Sequence, residues 1–415
     1  MTVEVEIAKC VYGGDGLGRL GDGRVVFVPG AYAGEKVRAE IVEQKKRYVK
    51  ARLVEVVEAI PERTVPQFTP VPGMVYADLD YSAELRFKQD QLENFLWKVQ
   101  PSVLPLEVVP APRQLNYRNK AVYHTEKRGG KWLVGYRQEP DHRVVDVEQD
   151  PLACAEINRA LPEIRAGVLA LLTRGARAVR ESAKAADNVT IRYTPVDGVK
   201  WWMGEPPFGM ELTERTAGIK FRVPGDGFYQ VNPEVGDRLV ETVRRAYLAD
   251  SANAAHLLDL YCGVGVFGLA CLKGWKEKGG KAGAGAANFE PHLTGVESGR
   301  NAIACAKKNA ADLGLRGNFF CERVGGSLGR IKVGPHHTVI LDPPRGGLEP
   351  NVPAWLAKRA APRVFYVSCD PATLTRDLSA LAKAYQIEKV TLFDMFPRTA
   401  RFETFVELKS RKSNS

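Results

Sequence analysis

Asp259-Leu-Tyr-Cys-Gly263-Val-Gly265-Val-Phe-Gly268 closes an apolar run that begins near His256 and opens onto a helical pattern. A strand, a glycine turn and a helix in that order, spaced GxGxxG, mark the start of a doubly wound α/β sheet. In such a sheet ligands sit beyond the carboxyl ends of the strands, and glycines there let the backbone approach an adenosine-containing molecule. The motif alone suits NAD and S-adenosylmethionine equally. Apolar runs recur at Leu293 to Glu297, Thr338 to Asp342, Val364 to Cys369, Val390 to Phe396 and Thr404 to Leu408, with helical spacing between them. Residues 226–415 therefore read as one α/β domain. The Gly-, Ala- and Lys-rich stretch 276–288 is expected to be a flexible surface insertion.

The residues that close each strand carry the chemistry. Glu297 ends the second run, where a carboxylate can accept both hydroxyls of a ribose. Asp342 ends the third and is followed by Pro343-Pro344-Arg345, a rigid corner that fixes a carboxylate and a guanidinium beside the cleft. In amino-group methyltransferases a similar Asp/Asn-Pro-Pro precedes an aromatic, and Arg345 stands in its place. Ser368-Cys369-Asp370-Pro371 puts a thiol at the mouth, and a helix start and a cationic cofactor nearby are expected to lower its pKa. Asp394-Met-Phe-Pro397-Arg-Thr-Ala-Arg401-Phe-Glu403 brings a last carboxylate, between Phe402 and Phe405, whose partial desolvation would make it a better base. A small buried cysteine, tight-turn glycines and solvated strand-end acids would give the same letters one at a time; the constellation favours a site.

The remainder of the 415 residues reads as two further regions. Residues 1–60 show short strands with glycine turns, an OB-like β-barrel whose run Lys45-Lys46-Arg47-Tyr48-Val49-Lys50 could touch a phosphate backbone or simply keep a hairpin soluble. Residues 61–225 read as a mostly β region with helical insertions. The chain carries a net charge of +10, and Arg113 to Arg143 alone holds eight basic against three acidic residues, interleaved with Tyr117, Tyr123, Trp132 and Tyr136. Alternating cationic and aromatic side chains suit a single-stranded RNA groove, although a solvated sheet face would look similar. Seven cysteines without a CxxC pair argue against a disulfide framework or a zinc knuckle, and no run is apolar enough to span a bilayer. A cytoplasmic monomer is expected, with no membrane partner.

Taken together, Tyr117-Arg118-Asn119-Lys120, Phe228-Tyr229-Gln230-Val231-Asn232, Asp259 to Gly265, Asp342-Pro-Pro-Arg345, Ser368-Cys369-Asp370-Pro371 and Phe396-Pro397-Arg398-Thr399 leading to Glu403 resemble the class I S-adenosylmethionine-dependent RNA uracil-C5 methyltransferases. These carry an N-terminal TRAM barrel, and the resemblance covers nearly the whole chain. It implies that Gln230, Tyr261, Gly263, Glu297 and Asp342 line the methyl donor, that Cys369 is the nucleophile and Glu403 the base, and that the partner is RNA. A TRAM barrel further implies ribosomal RNA of the 23S type more than transfer RNA.

Three departures stand out. The positions matching an iron–sulfur cluster's cysteines are Val65, Val71, Met74 and Asp150, so no cluster is expected and no metal site is assigned. Arg401 replaces a histidine two residues before the base, and Arg323 replaces an Asp or Asn that contacts adenine; the first would retune the base. A catalytically silent RNA-binding protein would accommodate both arginines. An NAD-linked oxidoreductase would leave the Ser368 to Pro371 motif unexplained, and the Pro-Cys-Ser of RNA cytosine-C5 methyltransferases is missing.

Overall fold

The computed structural model describes residues 1–100, 106–139, 141–173, 187–249, 256–278, 292–334 and 336–414. Most of the Gly/Ala/Lys-rich insertion lies outside them. Strands β1 (Thr2–Cys10), β2 (Gly16–Arg19), β3 (Val25–Val28), β4 (Lys36–Gln44) and β5 (Tyr48–Glu58) close into a barrel in the order β1-β2-β3-β5-β4. Period-two alternation turns Val5, Ile7, Val37, Ala39, Val49 and Ala51 into its core. Gly16 and Gly18 belong to β2 and are not merely turn residues: a Cβ on either would lie 2.5 Å from a facing carbonyl oxygen, so only glycine lets this strand nest so closely.

Helix α1 (Tyr81–Leu96) follows, then β6 (Leu106–Val109). Next come β7 (Lys120–Arg128), β8 (Lys131–Gln138), β9 (Arg143–Asp146), α2 (Ala155–Thr173), β10 (Asn188–Thr194) and β11 (Gly198–Met203). These strands form one sheet, ordered β11-β10-β7-β8-β9, with Ile157, Leu161, Ile164 and Val168 of α2 packed into its core. The hairpin β12 (Glu211–Thr216) and β13 (Ile219–Pro224) leads into α3 (Pro233–Ala249).

The rest alternates: β14 (His256–Leu260), α4 (Val266–Glu277), β15 (His292–Glu297), α5 (Arg300–Asp312), β16 (Gly317–Cys321), α6 (Val324–Ser327), β17 (His337–Leu341), α7 (Val352–Arg359), β18 (Arg363–Ser368), α8 (Pro371–Leu381), β19 (Tyr385–Phe393) and β20 (Glu403–Ser410). Among the described residues the sheet has eight strands, ordered β16-β15-β14-β17-β18-β20-β19-β6. The pairs from β16 to β18 are parallel and β20 runs antiparallel to both neighbours. Helices α3, α4 and α5 contribute to the core on one face, and α1, α6, α7 and α8 to the core on the other.

The large sheet also recruits pieces that the sequence reading gives to the central region. Strand β6 pairs parallel with β19, and Leu92 and Leu96 of α1 join the core under it. Strand β16 is not among the apolar runs that the sequence displays, because Gly-Asn-Phe-Phe-Cys is short and largely exposed. Strand order reverses between β14 and β17, which opens the crevice where this architecture places its ligand.

Candidate active site

At the end of β14 the chain makes a tight turn into α4. Tyr261 adopts φ 66°, a left-handed conformation costly for a side chain-bearing residue, and Gly263 and Gly265 follow at 54° and 86°. A Cβ on Gly263 would meet nothing within 4 Å, so its backbone faces open space. Gly268 serves a different end: a Cβ there would lie 2.7 Å from Leu293 and 2.8 Å from Asp259, and its amide donates to Asp259 Oδ2 at 3.0 Å. The third glycine therefore seats the helix on the sheet.

Glu297 is held in place by donors from both sides. The Gly263 amide reaches Oε2 at 3.3 Å, and the Gly299 amide and Ser298 hydroxyl reach Oε1 at 2.7 and 3.1 Å. Gln230 lies just before α3 in a segment stitched down by Asn119 N–H to the Val231 carbonyl (2.9 Å) and Asn232 Nδ2 to the Met395 carbonyl (3.2 Å). Its buried Oε1 has no partner among the described residues, an acceptor free for a ligand's amino group. Burial, followed by repulsion from neighbouring carboxylates, pushes Asp342 up to about 7 and Asp259 to about 8. This crowd of carboxyls suits a positively charged adenosyl ligand and would repel a pyrophosphate. The residues present fit S-adenosylmethionine better than NAD.

Cys369 follows β18 and Glu403 opens β20, which pairs with it through Ser368 and Thr404. Glu403 is 3% exposed, and desolvation and the nearby Asp342 charge hold its carboxyl well above the usual range, opposed by Arg345. The helix start by itself does not lower the thiol. Rather than being lowered, it is pushed up to about 12 by burial and by Glu403 and Asp342. The helix start cannot compensate, because Asp370 caps α8 with its own carboxylate, accepting from the amides of Ala372 and Thr373 at 3.0 Å each. Arg345, exposed at the cleft, is the cation that acts on both groups.

Arg401, Arg323 and Asp394 are each held by partners outside the crevice. Arg401 turns away from the base: its guanidinium donates to the Tyr12 hydroxyl at 2.7 Å and lies 3.8 Å from Asp370. Arg323 pairs with Glu349 at 3.2 Å, which also accepts from the Gly325 amide at 3.1 Å. Asp394 is buried. It holds the buried Lys88 at 2.6 Å together with Glu84 at 2.7 Å, and accepts from Tyr81 at 2.7 Å. With Tyr117 donating to the Pro397 carbonyl at 3.1 Å, this network fixes the loop that delivers Glu403.

The central basic stretch also differs from expectation. Tyr117 and Tyr123 are core residues and cannot stack on a base, and Tyr123 and the partly buried Tyr136 both donate to Asp150, at 2.9 and 2.7 Å. Strand alternation in β7 points Ala121 and Tyr123 inward. Arg113, Arg128, Arg137 and Arg143 pair with Glu234, Glu126, Asp187 and Asp141. Lys127 over Trp132, at 5.9 Å, retains the expected cation and aromatic character. The same core absorbs Val71 and Met74, whose apolar side chains, with Asp150 bonded to two tyrosines, leave no thiolate set for a cluster. No helix among the described residues is long and apolar enough to cross a membrane.

Among the described residues, an eight-stranded, mostly parallel sheet with a glycine turn and a carboxylate-rich crevice at its switch point has the fold of the class I S-adenosylmethionine-dependent methyltransferases. Residues 325–411 match the family model described as tRNA (Uracil-5-)-methyltransferase, and residues 1–54 match the TRAM domain. An uncharacterized RNA methyltransferase of Thermosynechococcus vestitus is 29% identical, over 98% of each chain. A tRNA (uracil(54)-C(5))-methyltransferase of Schizosaccharomyces pombe is 26% identical, over 98% of this chain and 78% of its own. The crystal structure of Pyrococcus abyssi tRNA (uracil-54, C5)-methyltransferase in complex with S-adenosyl-L-homocysteine shares the fold, with TM-score 0.71 at 22% identity over 98% of this chain and all of that one. Along nearly its whole length the chain is thus similar to RNA methyltransferases, and its first 54 residues are similar to TRAM domains.

Proposed function

We propose that this protein methylates carbon 5 of a uridine in RNA through a covalent adduct between Cys369 and carbon 6 of the base. The observation that carries this reading is the placement of a half-buried thiol and a buried carboxyl at the ends of paired strands, with Asp342 and Arg345 acting on both. Carbon 5 of uracil is not nucleophilic until a thiolate adds at carbon 6 and pushes the ring electrons into an enolate. S-adenosylmethionine supplies an electrophilic methyl group, with Gln230, Tyr261, Gly263, Glu297 and Asp342 as the residues that hold it. A positive charge seated beside Asp342 and Glu403 offsets the anionic surroundings that keep the thiol protonated, and Arg345 adds to this. After carbon 5 takes the methyl group, Glu403 removes its proton, and the electrons of that C–H bond expel the Cys369 sulfur. The products are 5-methyluridine RNA, S-adenosylhomocysteine and the Cys369 thiolate, with the carbon 5 proton left on Glu403. A duplex shields carbon 6 from attack, so the target uridine must be unstacked or flipped.

The test is a denaturing gel of RNA containing 5-fluorouridine, incubated with S-adenosylmethionine and either wild type or Cys369→Ala. Fluorine cannot leave as a cation, so the wild type is expected to remain bound and the variant to run free. Donor-dependent adduct with Cys369→Ala, or none with wild type on RNAs it demonstrably binds, would overturn the reading and favour a silent RNA-binding protein. The target class is decided in the same experiment. The barrel favours a 23S-type ribosomal uridine, whereas the names of the S. pombe and P. abyssi proteins favour tRNA position 54, and both align across the barrel as well. Separate ribosomal and transfer RNA pools distinguish the two.

A further inference from the structure

We propose that Tyr12 of the TRAM barrel is a positioning residue for the reaction, a brace that holds the nucleophile loop and the base strand in fixed relation. The proposal rests on the roles given above to Cys369 and Glu403. Tyr12 sits in the turn after β1, where the Val11 amide donates to the Asp15 carbonyl and the Gly14 amide to the Val11 carbonyl, both at 2.9 Å. The turn is wedged against the chain that leaves the barrel, since a Cβ on Gly14 would fall 2.6 Å from Val75. From this anchor the phenol reaches 357 positions along the chain and donates to the Cys369 carbonyl at 3.4 Å.

The same oxygen accepts from Arg401 at 2.7 Å, and the guanidinium also lies over the Tyr12 ring, 5.1 Å from its centroid. One hydroxyl has one donor and two acceptor lone pairs, so both bonds are satisfied at once. The ring meets Phe402 edge-on at 5.7 Å and Phe95 at 6.0 Å. Phe402 is buried against the opposite face of the sheet from Phe405, and in a strand its neighbour Glu403 therefore points to the Phe405 side. Clamping Phe402 and Arg401 fixes the register from which Glu403 projects. Clamping Arg401 to Asp370, which caps α8, fixes the loop that carries Cys369. Arg401 thus serves as a strut between Tyr12 and Asp370, a task for which its long planar fork is better suited than the shorter imidazole at the matching family position.

A displacement of about 1 Å between reacting groups costs on the order of 100-fold in rate. Removing only the hydroxyl in Tyr12→Phe should lower kcat about tenfold, with RNA and donor affinities within about twofold of wild type. Arg401→Gln should do the same, and Tyr12→Phe with Arg401→Gln should be no slower than either alone, because both remove one link. Independently of any RNA, alkylation of Cys369 by iodoacetamide, followed by peptide mass spectrometry, should be about fivefold faster in Tyr12→Phe, since a loosened loop exposes the thiol. An alkylation rate within about twofold of wild type overturns the brace. So does a loss of kcat that travels with an equal loss of RNA affinity, which would assign Tyr12 to RNA binding. Failure of wild type to form the 5-fluorouridine adduct counts against the reaction itself, and the alkylation measurement then still decides the brace.

Discussion

The crevice of the large sheet and the surface of the five-stranded sheet both look functional in the sequence, and the structure treats them differently. At the crevice, Glu297, Asp342, Cys369 and Glu403 occupy strand ends, and the parallel register of β14, β15, β17 and β18 brings such ends to one edge. In the five-stranded sheet, Tyr123 and Tyr136 lie inside strands, where successive side chains point to opposite faces, and both are bonded to Asp150. A residue's place relative to the end of its strand governs whether it reaches a ligand. Composition within the strand does not.

The contrast can be broken first at Glu403. Glu403→Gln should reduce turnover by about 10²–10⁴-fold while still permitting methyl transfer, so that a methylated protein–RNA adduct accumulates on denaturing gels. Fast turnover by this variant would remove the strand-end carboxylate from the chemistry. Tyr123→Ala should act oppositely, costing about 3–5 kcal/mol of stability through a cavity and a missing partner for Asp150, with RNA affinity per folded molecule unchanged. Urea unfolding together with RNA titration would check it, and a selective loss of RNA affinity would return Tyr123 to the binding surface.

Proton linkage sharpens the comparison further. Asp342, raised to about 7, and Asp259, raised to about 8, bind protons more tightly in the folded state than in the unfolded one. Their contribution to stability is complete at low pH and is lost as pH rises from about 4 towards 8. A cationic ligand favours the ionised carboxylates, so affinity for S-adenosylmethionine should climb between about pH 6 and 8, by up to about tenfold per unit for each proton released. Affinity for S-adenosylhomocysteine, which lacks the sulfonium charge, should climb less, and calorimetry in buffers of different ionisation heat would read the protons directly. Equal pH profiles for the two ligands would refute the electrostatic account. The smallest effect belongs to the surface of the five-stranded sheet. Lys127→Ala with Lys131→Ala should weaken RNA binding only a few-fold and make the salt dependence shallower, by about 0.7 in log–log slope for each phosphate no longer neutralised.

Legibility followed the same division. The glycine turn, the strand-end carboxylates and the thiol were readable because their spacing is local: a strand, its terminal residue and the next helix lie close together along the chain. The barrel was readable from alternation, apart from β2, whose glycines look like a turn until their approach to facing carbonyls is seen. What escaped was non-local. Strand β6 joins the large sheet beside β19, Lys88 neutralises Asp394 across 306 positions, and Tyr12 touches the Cys369 loop across 357.

The sequence by itself determined the doubly wound sheet, the crevice residues and a barrel, because hydrophobic period and turn chemistry act over a few residues and leave their mark in the order of letters. Only the tertiary structure decided the protonation of the thiol, the partners of Arg401 and Arg323, and which aromatics are core. Burial and the distance between charges set those properties, and both arise only once segments hundreds of residues apart have packed together.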